Sequence, residues 1–403
     1  MNSEKRSARR ILGTCCATHA LHDGLADLLY VLLPVLAQSF NLSFAQVGLV
    51  RSVQATAFAV FQLPAGMLGE RLGERTLLGL GTAIAGLAFL GFGLSGGFLF
   101  LLVFLFLAGL GGAFQHPLCS SIVSNAYPEG GRRAALGVYN FAGDAGKLAF
   151  AGATGLAIAA GVAWRGPVLL YGVLAVAAAA SIWVLLRRFD AGNRPAPVGD
   201  PVHPATHWGI RSRNGFAALC GIAVIDSSTR SGLLTFIAFL MIGKGVSEGL
   251  APLAVPMVFL GGMLGKLACG FLAERLGVIR TVVLTELATG AGILVALALP
   301  DLAAFALLPV IGIALNGTSS VLYGTIGDLI EPDRQSRAFG LVYTLGSSCG
   351  IAAPLGYGLL GDAIGIEATV AVIGGVVFLS IPLCRMLRPE LFSGAGAPAR
   401  GGP

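Results

Sequence analysis

The sequence predicts an all-α membrane protein of twelve transmembrane helices in two six-helix parallel repeats. Three observations predict it. Of the 403 residues 55% are apolar and only 11% charged, and mean hydropathy is +0.82. A soluble chain carries about 25% charged residues; this one could bury a core but could not cover it with polar surface, and lipid is the alternative solvent. Apolar runs of about 20 residues or more recur along its length. Two charged, Gly-punctuated phrases, GMLGERLGERT (66–76) and GFLAERLGVIRT (270–281), each follow such a run.

The basic start, residues 1–10, precedes a run containing His19, His22, Asp23 and Asp27 that continues to about Ser39. This run is too long and too polar for a cleavable signal segment and reads as a first span. Spans are expected over 11–38, 44–69, 76–95, 98–126, 134–160 and 165–187, then over 214–241, 248–273, 280–300, 302–330, 335–361 and 366–386. Residues 188–213, RFDAGNRPAPVGDPVHPATHWGIRSR, form the long polar, Pro-rich stretch expected of a linker. The expected organisation is therefore an N-terminal half over 1–187, a linker over 188–213, a C-terminal half over 214–390 and a disordered tail over 391–403. The seven cysteines lack metal-like or disulfide-framework spacing, and 59 glycines suit close helix approach in lipid.

Counting connections alternately, one side gathers nearly all the basic residues, among them Arg9, Arg71, Arg133, Arg188, Arg275 and Arg385, whereas the other holds only Arg165 and Lys244. The positive-inside rule puts both termini, the linker and both phrases in the cytoplasm. The same spread accounts for the net charge of +6 without a nucleic-acid partner, because the cations sit in short loops and not on one face.

The two phrases are offset by 204 residues, 270 minus 66. The same offset relates Gly73 to Gly277, Pro128 to Pro332, Arg133 to Arg337, Tyr139 to Tyr343 and Gly146 to Gly350. The halves are thus parallel copies; in such repeats the substrate site lies near the midplane and transport proceeds by rocking one half against the other.

Gly66, Glu70, Arg71, Gly73 and Arg75 resemble the cytoplasmic signature between helices 2 and 3 of the major facilitator superfamily, and Gly270, Glu274, Arg275 and Gly277 resemble its second-half copy. Within that superfamily, residues 19–50, FQLPAGMLGERLG (61–73), GLGGAFQHP (109–117) and RRAALGVYNFAGDAG (132–146) are similar to the fosmidomycin resistance protein group. The resemblance implies that the two phrases form cytoplasmic gates holding the outward-open state; the alternative is that their charges simply solvate short loops. Two departures weaken the reading as a conventional drug/proton antiporter. The fourth span lacks a buried Arg, and the fifth has Phe150-Ala151 where Gly-Pro is expected, although Gly350 and Pro354 stand in the eleventh.

Ionisable groups inside a span are expensive and are candidate sites by default. His19, Asp23 and Asp27, at i, i+4 and i+8, share a face of the first span, with His22 adjacent. Asp23 lies about 18 Å into that span, near the midplane, and has no cation on its own helix at i±3 or i±4. It is the leading candidate for proton coupling; the alternative is a permanent pair with a cation from another helix. Asp144 with Lys147, and Asp226 with Arg230, are spaced to close as intrahelical ion pairs or to line the cavity. The offset carries His22 onto Asp226 and Gln62 onto Lys266, which favours a shared central cavity. His116-Pro117 marks an interruption of the fourth span. Arg51 reads as either a cavity residue or a side chain reaching the outer interface, and Glu286 and Asp328 as structural acids near the cytoplasmic ends.

Phosphate-loop and HExxH patterns are lacking, and the Gly-rich stretch LGLGTAIAGL (78–87) lies inside a span. An enzyme, a cofactor or a metal is therefore not expected. The expected partners are a small-molecule substrate, protons and the bilayer, for a chain acting as a monomer. The reading is a secondary transporter of the inner membrane that exports a drug-like or anionic compound against protons. The alternatives are proton-coupled uptake of a small organic anion, a channel, or a non-transporting receptor.

Overall fold

A computed structural model of the chain describes residues 2–127, 131–193, 209–330 and 335–393. Its α-helices are α1 (Asn2–Phe40), α2 (Phe44–Leu72), α3 (Glu74–Gly93), α4 (Phe98–Gly112), α5 (Gln115–Ala126), α6 (Arg132–Ala159) and α7 (Arg165–Arg188), followed by α8 (Arg213–Gly243), α9 (Ala254–Leu276), α10 (Val278–Ala298), α11 (Asp301–Leu329), α12 (Gln335–Ile364), α13 (Ile366–Val376) and α14 (Ser380–Ser393). Because α4 with α5, and α13 with α14, are interrupted spans, these make the twelve expected segments. Among the described residues nine segments are long and apolar enough to cross a membrane. Helices α6 and α12 are long enough, at 28 and 30 residues, but carry more polar residues.

Local chemistry sets the ends. Ser43 caps α2 in a reciprocal box: the Gln46 N–H donates to Ser43 Oγ at 3.3 Å and the Ser43 N–H to Gln46 Oε1 at 3.0 Å. The fourth span breaks at Ala113 and Phe114. Ala113 is the residue whose carbonyl would have accepted from position 117, where Pro has no N–H and its ring crowds that carbonyl. The His116-Pro117 reading thus corresponds to an observed break. The eighth span starts later than expected: Ala251–Leu253 form a 3-10 turn and the α-helix begins at Ala254.

The chain divides into two compact units, one of Met1–Pro201 with Ser247–Pro256, the other of Val202–Val246 with Met257–Pro403. In the first, α1 packs on α6, and α3 on α4 and α7; in the second, α8 packs on α12, and α10 on α11 and α13. The pairings are the same in span order, as parallel copies require. Exposed Leu63, Leu99, Phe271 and Leu302 belong to the apolar surface that lipid covers and water would not tolerate. Arg165 and Lys244, the exceptions to the charge asymmetry, do matching jobs. Arg165 donates to the Ser95 carbonyl at 3.0 Å and Lys244 to the Leu297 and Leu299 carbonyls at 2.7 and 2.8 Å. These carbonyls end the third and ninth spans, where the helix dipole favours a cation, and Ser95 and Leu299 are themselves 204 apart.

Candidate functional site

Helix α6 approaches α1 closely because glycine faces it. A Cβ at Gly146 would collide with the Ala20 backbone, and one at Gly143 would lie 2.6 Å from His19 Nε2 and 2.9 Å from Asp23 Oδ2. That approach carries Lys147 into the acids of α1. Its Nζ lies 3.3 Å from Asp23 Oδ2, 3.3 Å from Asp27 Oδ2 and 4.0 Å from Asp144 Oδ1. Asp23 has its cation from another helix, the alternative left open for it. Asp144 pairs with Lys147 as their spacing predicts, at the longest of the three distances.

His116 Nε2, from α5, reaches Asp23 Oδ1 at 3.4 Å, and His19 Nε2 reaches Asp23 Oδ2 at 3.3 Å. His19 Nδ1 is 2.8 Å from the Tyr139 carbonyl. A carbonyl only accepts, so Nδ1 carries a proton. Nε2 and the Asp23 carboxyl then face each other and can bond only if one of them holds a further proton. Tyr139 stacks on the His19 ring at 4.1 Å, and its hydroxyl accepts from Gln115 Nε2 at 2.6 Å, which fixes the imidazole. Exposure falls inward through the cluster: the side chains of His116 and Lys147 are 33% and 28% exposed, Asp23 12% and His19 4%. Access is therefore by way of His116 and Lys147.

Arg51 supplies a second fixed cation. It lies on α2, half-buried over the Tyr30 ring at 4.6 Å, bonded to Gln54 Oε1 at 3.3 Å and near enough to Asp27 to act on it electrostatically. The cluster thus sets the carboxylates of Asp23, Asp27 and Asp144 around Lys147, with Arg51 beside Asp27. The ligand atoms of His19, Asp23 and His116 lie within 4.8 Å of one another, a spacing compatible with a metal ion. The Lys147 ammonium, 3.3 Å from Asp23, already fills the cation position and would repel a divalent ion.

Other candidates lie elsewhere. His22 turns to α3 and bonds Thr82 Oγ1 at 2.9 Å, away from the carboxylates. Gln62 on α2 and Lys266 on α9 are half-buried. Asp226 and Arg230 pair at 3.7 Å on α8, as their spacing predicts. Glu286 is 2% exposed and sits eight residues, about 12 Å, into α10, nearer its N-terminal end and buried. The Asp328 side chain lies outside the described residues.

At the first phrase Gly73 has φ +88° and the Arg75 N–H donates to the Gly192 carbonyl at 2.9 Å. Arg71 is exposed and makes no ion pair among the described residues. Gly66 is half-buried, and a Cβ there would lie 3.6 Å from Pro117. The Glu70 and Gly270 side-chain positions lie outside the described ones, and Glu274, Arg275 and Gly277 are exposed. Among the described residues the loop is held by the backbone contact of Arg75 with Gly192. Both Gly73 and Gly277 have positive φ, but Gly277 has open space around it whereas a Cβ at Gly73 would lie 3.5 Å from Gly192 O. Valine at either position should cost about 1–3 kcal/mol of backbone strain. Gly73→Val should in addition displace Gly192 and slow transport more than Gly277→Val; equal transport rates in purified variants would remove the gate from this loop.

The chain belongs to the major facilitator superfamily, whose profile matches residues 15–253 and 219–402. The hexuronate transporter of Bacillus subtilis (strain 168) is 23% identical over 91% of this chain and 91% of its own. The tetracenomycin C resistance and export protein of Streptomyces glaucescens is 31% identical over 27% of this chain and 20% of its own. The crystal structure of a bacterial homolog of the human lysosomal transporter Spinster, inward-facing and unoccupied, shares the fold: TM-score 0.79, 18% identity, 98% of this chain and 99% of that one. The protein is a multi-pass membrane transporter of small solutes and not an enzyme.

Proposed function

We propose that the protein is a proton-coupled exporter of a small organic compound, with the proton held between His19 and Asp23. The observation that carries this is the His19 geometry: Nδ1 is committed to the Tyr139 carbonyl at 2.8 Å while Nε2 faces Asp23 Oδ2 at 3.3 Å, a contact that needs one proton. A substrate bearing a cation or hydrogen-bond donors would replace that proton on Asp23, and such competition is what antiport requires. The similarity to an export protein, and the resemblance to the fosmidomycin resistance group, agree with export.

A second reading has its own observation. Lys147 is held by Asp23 and Asp27 at 3.3 Å each, so an anion would gain it only when those acids are protonated. Anion and proton would then enter together, as in proton-coupled uptake of an organic acid. A susceptibility screen of a deletion strain against small antimicrobials, phosphonates included, followed by counterflow of the labelled hit in proteoliposomes, separates the readings. Export predicts hypersensitivity and stimulation by an opposing pH gradient. Counterflow without hypersensitivity, driven by a gradient in the same direction, supports uptake; single-channel currents without counterflow would overturn both.

The proposed setting is the inner membrane, both termini and the linker cytoplasmic, with a single chain carrying both halves as the working unit. Reporter fusions after Arg194 and at the C-terminus should be active only as cytoplasmic reporters. Periplasmic activity at either site would reverse the orientation and with it the direction of transport.

A further inference from the structure

The 204-residue offset carries His22 onto Asp226 and Thr82 onto Glu286. In the first unit this pair is a neutral hydrogen bond, His22 Nε2 to Thr82 Oγ1 at 2.9 Å. The Thr82 hydroxyl proton is spent on the Leu78 carbonyl at 2.8 Å, so His22 donates. In the second unit two acids occupy the equivalent positions on α8 and α10, 3% and 2% exposed, and Asp226 is near enough to act electrostatically on Glu286. Two adjacent buried carboxylates are not tolerable together, and one proton removes the conflict.

The ion pair of Asp226 with Arg230 says which acid holds it: the one left without that pair. Thr318 from α11 and Ser380 from α14 face its carboxyl, together with the Cys384 thiol of α14 and, from α8, Asp226 and Arg230. Thr318 donates to Thr285 Oγ1 at 2.8 Å, Thr285 donates to the Thr281 carbonyl at 2.9 Å, and Ser380 donates to the Val377 carbonyl at 2.6 Å. Each hydroxyl is donor and acceptor, so the pair can serve Glu286 in either protonation state. Arg230, 3.7 Å from Asp226, is placed to balance the acid that remains ionised.

We propose that Asp226 and Glu286 form a second proton-binding site, in the other half from His19 and Asp23, with the proton resident on Glu286 and Arg230 balancing Asp226. It is a site for a proton carried in addition to the one at Asp23, and it stands or falls separately from that reading.

The test is infrared difference spectroscopy of the full chain in lipid nanodiscs at neutral pH, read in the carbonyl band of protonated carboxyl groups. Wild type should show a component that disappears in Glu286→Gln and persists in Asp23→Asn. Glu286→Gln should also melt with wild type, because the amide N–H donates to the same hydroxyls. Should Glu286→Gln not fold, the swap Asp226→His/Glu286→Thr, which rebuilds the first-unit pair, is expected to lose the same component. A band unchanged in either folded variant, or one lost only with Asp23→Asn, overturns the proposal.

Discussion

Replacing Lys147 by Met is expected to destabilise the protein by about 3 kcal/mol or more and to abolish transport, the largest effect of any single side chain in the first unit. The ammonium is the shared counter-ion of three acids, at 3.3, 3.3 and 4.0 Å. Removing one partner of a buried ion pair typically costs about 3–5 kcal/mol, because the remaining charge keeps its desolvation penalty and loses its compensation. Here Asp23, Asp27 and Asp144 would also be left repelling one another. Arg51 cannot take over, since its guanidinium is engaged over Tyr30 and on Gln54. Thermal unfolding in detergent measures the loss. The double variant Lys147→Met/Asp27→Asn should recover about 1 kcal/mol or more of it, because contacting residues couple by about 0.5–3 kcal/mol. A Lys147→Met protein as stable as wild type would mean that the cluster is peripheral to the fold.

The architecture was legible because its causes are local or periodic. Run length gave the spans, and one constant offset gave the repeat. Even the break of the fourth span follows from Pro117 alone. The composition of the site was legible as well, since His19, Asp23, Asp27, His116, Asp144 and Lys147 all stand out as ionisable groups in apolar runs. Their pairing was not. Spacing on one helix shows Lys147 beside Asp144, whereas the approach permitted by Gly143 and Gly146 sets it closer to Asp23 and Asp27 on α1. His22, one residue from Asp23, turns instead to Thr82 on α3. Tyr139 and Gln115 were missed because a tyrosine and a glutamine in a span carry no charge to flag them. Tyr139 had already surfaced as a repeat position, paired with Tyr343, and this was the available signal. Glu286 was read as a structural acid; its equivalence to Thr82, read with the same offset, would have pointed to Asp226.

The central claim is that Asp23 handles the coupling proton. Asp23→Asn preserves shape and mimics the neutral acid permanently. Its amide can still bond to His19 and His116, and Lys147 retains Asp27 and Asp144, so the variant should fold and bind substrate within several-fold of wild type. What it should lose is the ability to gain and release a proton as the substrate comes and goes, and a ligand can drive only an equilibrium in which it binds the two states differently. The pH gradient then has no differential hold on the protein. The deciding measurement follows labelled substrate, identified from the screen, in proteoliposomes of wild type and Asp23→Asn, once with equal pH on both sides and once with a pH gradient. The expected result is that Asp23→Asn exchanges substrate at equal pH but does not concentrate it under the gradient, while wild type does both. Accumulation by Asp23→Asn equal to that of wild type would contradict the account.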